Sequence, residues 1–257
     1  MPKRTPAAAA TAALLLVIVT GCGDTGGSSA SSGGGTLTVF AAASLTETFT
    51  SLGKDFEAAH PGVKVRFNFG GSSSLARQIT QGAPADVFAA ASPATMKTVT
   101  DAGDAAGPPQ VFTRNRLVIA VPAKDPGKVG AITDLSRPGL KIVLCAEQVP
   151  CGAAAKKALG AAGVTVKPAS QEQDVRAVLT KVRLGEADAG LVYRTDAKAA
   201  GTQVKGIEFP ESAKAINDYP IARVAKAPRP ALAKEFIALV LGAQGRDALA
   251  RAGFEAP

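Results

Sequence analysis

The chain has 257 residues, which permits one large α/β unit or two lobes of about a hundred residues each. Its hydrophobic content is 46% and its formal net charge is +8, with the Lys and Arg residues spread along the sequence. Because no run of basic residues is interleaved with aromatic side chains, the composition predicts a basic, solvent-exposed surface and no nucleic-acid partner.

The first 21 residues have the pattern of an export signal. Lys3 and Arg4 form a short basic region, and the apolar stretch from Ala7 to Val19 is too short to span a membrane comfortably. It ends in Val19-Thr20-Gly21-Cys22, which resembles the lipobox of bacterial lipoproteins, where cleavage before the Cys leaves that Cys to be acylated. We therefore predict a lipoprotein signal peptide over 1–21 and lipid attachment at Cys22; an ordinary secretory signal is the alternative.

Residues 22–35 are predicted to be a tether, because Gly23 to Gly35 contain Gly, Ser, Thr and Ala with one Asp and offer nothing to bury. The sequence thus predicts a protein that is exported and held by lipid at the outer face of the cytoplasmic membrane. A diacylglyceryl group is a firmer anchor than a single acyl chain.

After the tether, strands and helices alternate, which is typical of βαβ units with parallel sheets. The predicted strands are Leu37–Phe40, Val63–Phe69, Asp86–Ala90, Leu117–Val121, Lys141–Cys145, Ala189–Tyr193, Ile207–Phe209 and Ile221–Val224. The predicted helices are Ser44–Ala59, Leu75–Gln81, Thr95–Ala102, Ala153–Leu159, Gln171–Leu184, Pro230–Leu241 and Gln244–Ala252. Asn217–Pro220 is predicted to be a connector.

Two of these helices have the spacing of a capping box at their start. Ser44 and Glu47 are three residues apart, and so are Ser170 and Gln173. Three alanines separate the first pair from the buried strand that is predicted before it. A strand that leads into a helix start directs free backbone N–H groups and the positive end of the helix dipole at one point, which suits an anion.

Two cysteines lie close together in the middle of the chain. Cys145 and Cys151 are six residues apart, and in an exported protein this predicts a local disulfide. A zinc pair is the alternative, but the only histidine, His60, is far away in the sequence. A catalytic Cys would also need a histidine partner.

Four places share one physical character. Ser44, Ser72, Cys151 and Val175 each lie at or near a predicted helix start, where N–H groups are free, and none of them places a carboxylate or a metal ligand in the middle of the site. Neutral, fixed donors without an acceptor suit a small oxyanion that has lost its water. Ordinary helix capping is the alternative interpretation of each place taken singly.

Across these places the sequence resembles the molybdate-binding proteins of ABC importers. The matching blocks occur in the family's order between about Thr36 and Phe254. They are Phe40-Ala41-Ala42-Ala43-Ser44-Leu45, Ser72-Ser73-Ser74-Leu75-Ala76-Arg77-Gln78-Ile79, Gly82-Ala83-Pro84-Ala85-Asp86-Val87-Phe88, Val149-Pro150-Cys151-Gly152, Asp174-Val175-Arg176 and Gly190-Leu191-Val192-Tyr193.

The resemblance implies a tetrahedral oxyanion held between two lobes. Ser44 and Ser72 would donate through hydroxyl and backbone N–H, Cys151 and Val175 through backbone N–H, and Tyr193 through its phenol hydroxyl. Molybdenum would be bound as molybdate, with no direct ligand from the protein to the metal. The family usually has a small residue where this chain has Cys151, and a tyrosine that merely packs at a strand end is the alternative for Tyr193.

The resemblance also implies the fold, which is the type II fold of periplasmic binding proteins. In this α/β fold two Rossmann-like lobes are joined by two crossover strands and close on the ligand by hinge motion. We expect the crossovers near Gln110 to Arg116 and near Asn217 to Ile221. Residues 36–113 and 221–257 would form the first lobe and residues 114–220 the second.

The function predicted from these features is that of an extracytoplasmic lipoprotein that binds molybdate, and also tungstate, and delivers it to an ABC permease. We expect a monomer without a cofactor. A binding protein for sulfate or another tetrahedral oxyanion is the alternative within the class. A serine hydrolase using Ser44 or Ser72 is the alternative from another class; it lacks a Gly-x-Ser-x-Gly elbow and has only His60 as a base.

Overall fold

Two five-stranded sheets and the helices packed on them form the framework of the protein. A computed structural model describes Met1 and residues 34–257. The predicted signal peptide over 1–21, the lipid site at Cys22 and most of the tether over 22–35 lie outside the described residues and stay predictions.

The strands of the described residues follow the predicted ones with shifted ends and two additions. In chain order they are β1 Thr36–Ala42, β2 Lys64–Gly70, β3 Val87–Ala89, β4 Gln110–Asn115, β5 Leu117–Pro122, β6 Ile142–Cys145, β7 Ser170–Glu172, β8 Ala189–Tyr193, β9 Val204–Ile207 and β10 Asn217–Arg223. The additions are β4, which the sequence predicts only as a crossover, and β7.

The helices also follow the predicted order, with one short helix added after β8. They are α1 Thr46–Ala59, α2 Ser72–Thr80, α3 Pro93–Asp101, α4 Pro150–Ala162, α5 Val175–Arg183, α6 Arg194–Ala199, α7 Pro230–Leu241 and α8 Ala243–Ala252. Short stretches of 3-10 helix occur at Ala43–Leu45, Ile132–Ser136, Gly201–Gln203 and Pro210–Ala215.

Both sheets are mixed and share one pattern. The first has the order β2-β1-β3-β10-β4 and the second the order β7-β6-β8-β5-β9. The first three strands of each order are parallel, as predicted, whereas β10 and β5 run antiparallel to their neighbours. The prediction of parallel sheets is wrong for these two strands. The chain reaches each of them directly from the other sheet, and not through a crossover helix that packs on the strand's own sheet.

The two connections between the sheets lie side by side. Strand β4 is the last strand of the first sheet before the chain passes to the second sheet. A single residue, Arg116, separates β4 from β5, the first strand of the second sheet in chain order. The return path enters β10, whose Asn217 is paired with Asn115 of β4. We call the first sheet with α1, α2, α3, α7 and α8 the first lobe, and the second sheet with α4, α5 and α6 the second lobe.

The predicted lobe boundaries at 113/114 and 220/221 stay predictions. Residues 114–115 and 217–220 pair within the first sheet. Asn217–Pro220 therefore belongs to β10, and its prediction as a connector is wrong. A segment of four residues with Asn, Asp and Pro has turn composition, and only pairing with β4 makes it a strand.

Helices cover both faces of the first sheet. Successive residues of β1 point to opposite faces, so that Val39 joins an apolar cluster under α1 and α7, whereas Phe40 joins a cluster under α2 and α3. A sheet that is buried on both faces explains why β1 reads as a nearly continuous apolar run. The carboxyl end of β1 is thereby fixed from both sides.

Both predicted capping boxes are wrong. Helix α1 begins at Thr46, since Ala43–Leu45 form a 3-10 turn in which no side chain makes a capping hydrogen bond. Helix α5 begins at Val175 and not at Gln171, because Ser170–Glu172 pair with β6 as the edge strand β7. The cap of α5 is Asp174, whose carboxylate accepts a hydrogen bond of 3.0 Å from the N–H of Ala177.

The predicted disulfide between Cys145 and Cys151 is confirmed. It joins the end of β6 to the first turn of α4. The same turn is pressed against the chain that leads into it, since a methyl group on Gly152 would lie 1.9 Å from the carbonyl oxygen of Ala146. The start of α4 is therefore held both covalently and by close packing.

The helices of the described residues are those of a globular α/β protein, and the longest, α1, has 14 residues. No helix in this part of the chain combines the length and the apolar character that crossing a bilayer requires.

Candidate functional site

A small cavity lies between the two lobes. The empty space there is about 230 Å³, which includes space open to solvent. Both lobes contribute to its wall. The lining residues are Ala42, Ala43, Ser44, Gly70, Gly71, Ser72, Ala91, Val149, Pro150, Cys151, Gln173, Asp174, Val175 and Tyr193. A cavity of this size suits an inorganic ion or a very small organic group.

All five residues predicted to contact the ligand line this one cavity. Ser44 and Ser72 come from the first lobe, and Cys151, Val175 and Tyr193 come from the second. Each of the five is at most 5% exposed. These residues are far apart in the sequence, and they come together because the two lobes contact each other at the cavity.

Three of the five residues lie in the first turn of a helix of nine residues or more. Ser72 is the first residue of α2, Cys151 the second residue of α4 and Val175 the first residue of α5. The N–H groups of a first helical turn have no partner within their own helix, and the helix dipole makes this end positive. Three helix starts that face one cavity favour a negatively charged occupant.

The hydroxyl of Ser72 is held by a backbone group on one side. It accepts a hydrogen bond of 3.0 Å from the N–H of Ala91, which follows β3. Because the oxygen is the acceptor in this bond, the hydroxyl proton of Ser72 is left to donate elsewhere. The arrangement prepares Ser72 as a donor toward the cavity.

Ser44 has a partner that the sequence reasoning missed. Its Oγ lies 2.9 Å from the Oη of Tyr219, and both groups are buried. When Tyr219 donates in this bond, the Ser44 proton is free to donate into the cavity. Tyr219 lies in the segment predicted as a connector, and the one available signal is that a large aromatic residue is unusual in an exposed loop.

Tyr193 stands out because its hydroxyl is buried and makes no hydrogen bond within the described residues. Its ring meets that of Tyr219 edge to face, with ring centroids 5.9 Å apart. Burial raises the pKa of the Tyr193 phenol well above its usual value, so that the group stays protonated and can donate. Buried polar groups are nearly always paired, and an unpaired one at a cavity points to a ligand that pairs with it.

The cavity wall carries little charge of its own. No Lys, Arg or His is among the described residues that line it, and Asp174 is the one carboxylate there. Asp174 is engaged as the cap of α5. The site is therefore built from neutral donors, which avoids burying an unpaired cation.

Neither a metal centre nor a hydrolase triad is formed around this cavity by the described residues. Among them no group of three or more His, Cys, Asp and Glu side chains could hold a metal ion. His60 lies at the far end of α1 from Ser44, roughly 20 Å along the helix, and its Nε2 is 2.7 Å from the carboxylate of Glu235. The base that a hydrolase would need is not near either serine.

Comparison with known proteins agrees with this geometry. Residues 37–255 match the family described as bacterial extracellular solute-binding protein. The chain belongs to this family. Its relatives are therefore extracellular solute-binding proteins, and the comparison points to an extracytoplasmic protein.

Several relatives of this solute-binding protein carry a more specific name. The molybdate-binding protein ModA of Mycobacterium tuberculosis (strain ATCC 25618 / H37Rv) is 48% identical over 222 residues, which cover 86% of this chain and 85% of that protein. The molybdate-binding protein ModA of Escherichia coli (strain K12) is 36% identical over 233 residues, covering 85% and 88%. Both are named as binding proteins and neither as an enzyme.

Two solved structures share the fold at lower identity. The periplasmic molybdate-binding protein of Azotobacter vinelandii superposes with a TM-score of 0.76 at 21% identity, covering 86% of this chain and 99% of that one. The sulfate-binding protein SubI of Mycobacterium tuberculosis H37Rv gives 0.74 at 19% identity, covering 86% of each chain. The predicted α/β fold with two lobes and two crossover strands is thereby confirmed.

One further buried group in this solute-binding protein lies next to Tyr193. Asp196 is 1% exposed; its Oδ2 accepts a hydrogen bond of 3.0 Å from the N–H of Tyr193, and its Oδ1 has no partner within the described residues. Burial raises the pKa of Asp196 from its ordinary value of 3.8 to about 7, although the Tyr193 N–H and the charge of Arg176 oppose that change. The ionised carboxylate is therefore costly in the folded protein.

We predict that Asp196→Asn removes a pH dependence of folding stability. A raised pKa in the folded state means that the folded protein holds the proton more firmly than the unfolded chain does. The contribution of Asp196 to the free energy of unfolding is then full below about pH 4 and is lost as the pH rises toward 7, by at most about 1.4 kcal/mol per pH unit. Urea unfolding at several pH values measures this slope.

The comparison between the two proteins isolates the effect of this one group. The difference in unfolding free energy between the wild type and Asp196→Asn should change steadily between pH 4 and pH 7 and stay level above pH 8. Parallel stability curves over the whole range would contradict the assignment of a raised pKa to Asp196.

Proposed function

We propose that this solute-binding protein captures molybdate, and also tungstate, between its lobes and delivers the anion to the membrane permease of an ABC importer. The main observation behind the proposal is the buried hydroxyl of Tyr193, which has no hydrogen-bond partner among the described residues. This hydroxyl belongs to a cavity into which the N-termini of three helices bring free N–H groups. An oxyanion supplies the acceptors that these donors lack. The anion is carried without a cofactor and is not chemically changed.

The names of the relatives support molybdate as the anion. ModA of Mycobacterium tuberculosis, at 48% identity, is named as a molybdate-binding protein, and so is the more distant ModA of Escherichia coli. The solved sulfate-binding protein has the same fold at 19% identity, so the fold alone does not distinguish between the two anions. The 48% identity to ModA of Mycobacterium tuberculosis extends over 222 residues, which is nearly the whole described part of the chain, and this favours molybdate.

In this proposal each of the five residues predicted to contact the ligand donates hydrogen bonds to the anion. Ser44 and Ser72 donate through hydroxyl and backbone N–H, Cys151 and Val175 donate through backbone N–H, and Tyr193 donates its phenol proton. The oxygens of the anion meet the protein and the molybdenum atom has no direct protein ligand. The side chain of Cys151 is tied up in the disulfide, so only its backbone is available.

Selectivity between anions follows from fixed donors. Sulfate has the same charge and shape as molybdate but shorter bonds, so donors spaced for molybdate form longer hydrogen bonds to it, each costing about 1 kcal/mol. Phosphate near neutral pH carries a proton that needs an acceptor. Asp174, the one carboxylate among the described lining residues, already accepts from Ala177.

The proposal includes attachment to the membrane. Cleavage before Cys22 and attachment of a diacylglyceryl group to its sulfur would hold a monomeric protein at the outer face of the cytoplasmic membrane. The support for this part is the order of basic residues, apolar stretch, small residues and Cys at the start of the sequence. The residues from Gly23 to Gly35 would give the binding unit freedom to reach the permease.

We predict that molybdate and tungstate raise the thermal unfolding temperature of the protein, whereas sulfate and phosphate do not. A ligand present at a hundred times its dissociation constant adds about 2.7 kcal/mol of stability, which corresponds to several degrees for a protein of this size. Differential scanning fluorimetry with each anion added singly measures the shift. A shift with sulfate alone would change the substrate, and no shift with any of the four would overturn the binding function.

We further predict that loss of the hydroxyl has different effects at Tyr193 and Tyr219: at Tyr193 it weakens anion binding, and at Tyr219 it lowers the stability of the ligand-free protein. Tyr193→Phe should weaken molybdate binding roughly ten- to a hundredfold, because a hydrogen bond to a charged group contributes about 1.5–3 kcal/mol. It should leave the stability of the ligand-free protein unchanged or higher, because the hydroxyl has no partner to lose among the described residues. Isothermal titration calorimetry and urea unfolding give the two values.

Tyr219→Phe is the matched comparison for this prediction. It removes the same group from a neighbouring buried ring, but this hydroxyl is bonded to Ser44. The ligand-free protein should therefore lose about 1 kcal/mol of unfolding free energy. Equal losses of stability in both variants, or unchanged molybdate affinity in Tyr193→Phe, would contradict the assigned role of Tyr193.

A further inference from the structure

The two lobes meet along a short seam beside the cavity. We define the seam by three of the contacts between the lobes: Gly71 lies against Gln173, Ser73 donates to the carbonyl oxygen of Gln148, and Glu47 pairs with Arg176. In each contact the first residue belongs to the first lobe and the second to the second lobe.

The closest of the three contacts is between two backbones. A methyl group placed on Gly71 would lie 2.2 Å from the carbonyl oxygen of Gln173 and 3.6 Å from the Cβ of Asp174. Real Cβ atoms do not come this near to an oxygen. Since the obstacle is a main-chain carbonyl, it cannot turn aside as the end of a flexible side chain would.

The backbone conformation of Gly71 does not itself require glycine. Its φ of −62° and ψ of 124° lie in the extended region that every L-residue adopts. Local chain geometry therefore leaves the identity of this residue open. What excludes a side chain at Gly71 is the opposite lobe.

The other two contacts of the seam are weaker restraints. The Glu47 carboxylate and the Arg176 guanidinium are 50% and 35% exposed, and the Ser73 bond of 2.9 Å is also at the surface. Exposed ion pairs contribute little because water and salt screen them. Among the three contacts of the seam, the one at Gly71 therefore restricts a closer approach of the lobes more than the two polar pairs do.

We propose that Gly71 sets how closely the two lobes approach over the bound anion and is thereby a determinant of its affinity. The proposal rests on the function proposed above. Ser44 and Ser72 lie in one lobe and Cys151, Val175 and Tyr193 in the other, so a wider seam separates the two groups of donors. An added gap of about 1 Å takes a hydrogen bond of about 2.9 Å beyond the range in which it counts as one.

The test is the variant Gly71→Ala, with Gly160→Ala as the control. Gly160 is an exposed residue of α4 with open space where its Cβ would lie, far along the helix from the cavity. With molybdate as the probe, calorimetry should show at least roughly tenfold weaker binding for Gly71→Ala and the wild-type dissociation constant for Gly160→Ala. The ligand-free thermal unfolding of Gly71→Ala should match that of the wild type, since an open seam accommodates the methyl group.

A crystal structure of Gly71→Ala gives a second readout that does not depend on affinity. The inference expects the Ser73–Gln148 bond and the Glu47–Arg176 pair to be broken or lengthened. Wild-type affinity in Gly71→Ala, or a crystal structure with the seam unchanged, would overturn it. If the wild type binds none of the four anions, the proposed function fails, and the crystal structure alone then decides the role of Gly71.

Discussion

The arrangement depends on one constraint, which is that hydrogen-bond donors from two separate lobes must meet at a single buried point. No single element of the described chain can satisfy it. The starts of α2, α4 and α5 and the turn after β1 each bring one or two donors to the cavity. Because the donors are anchored in helices and strands, they need little rearrangement within their own lobe when an anion arrives. Because they are neutral, the empty site carries no unpaired cation among its described lining residues.

The same constraint explains features that otherwise reduce stability. A buried hydroxyl without a partner costs about 1–3 kcal/mol, yet Tyr193 keeps one at the cavity. Asp196 holds the backbone of Tyr193 at a cost of its own, since burial disfavours its charged form. Around these groups the structure is firmly built: β1 is packed from both faces, and the disulfide and Gly152 fix the first turn of α4. Local cost at the site is thus offset by packing around it.

Much of the fold and of the site can be predicted from the sequence, and the failures have physical reasons. Apolar strands and helix starts are local signals, so Ser72 and Cys151 can be placed near helix N-termini from sequence alone. Capping by Ser44 cannot be judged locally, because its hydroxyl has a better partner in Tyr219, 175 residues away. The pairing of Asn217–Pro220 with β4, and the approach of Gly71 to Gln173, likewise depend on contacts between distant parts of the chain. Long-range partners of this kind leave no local pattern in a single sequence.

The central claim is that one oxyanion is held by donors from both lobes, and anomalous X-ray scattering at the molybdenum edge tests it most directly. Crystals grown with molybdate should give one strong anomalous peak in the cavity between Ser44, Ser72 and Tyr193. An oxygen of the anion should lie within hydrogen-bond distance of the Tyr193 hydroxyl, and no protein atom should coordinate the metal. A molybdenum peak outside the cavity, or one contacted by a single lobe, would contradict the account.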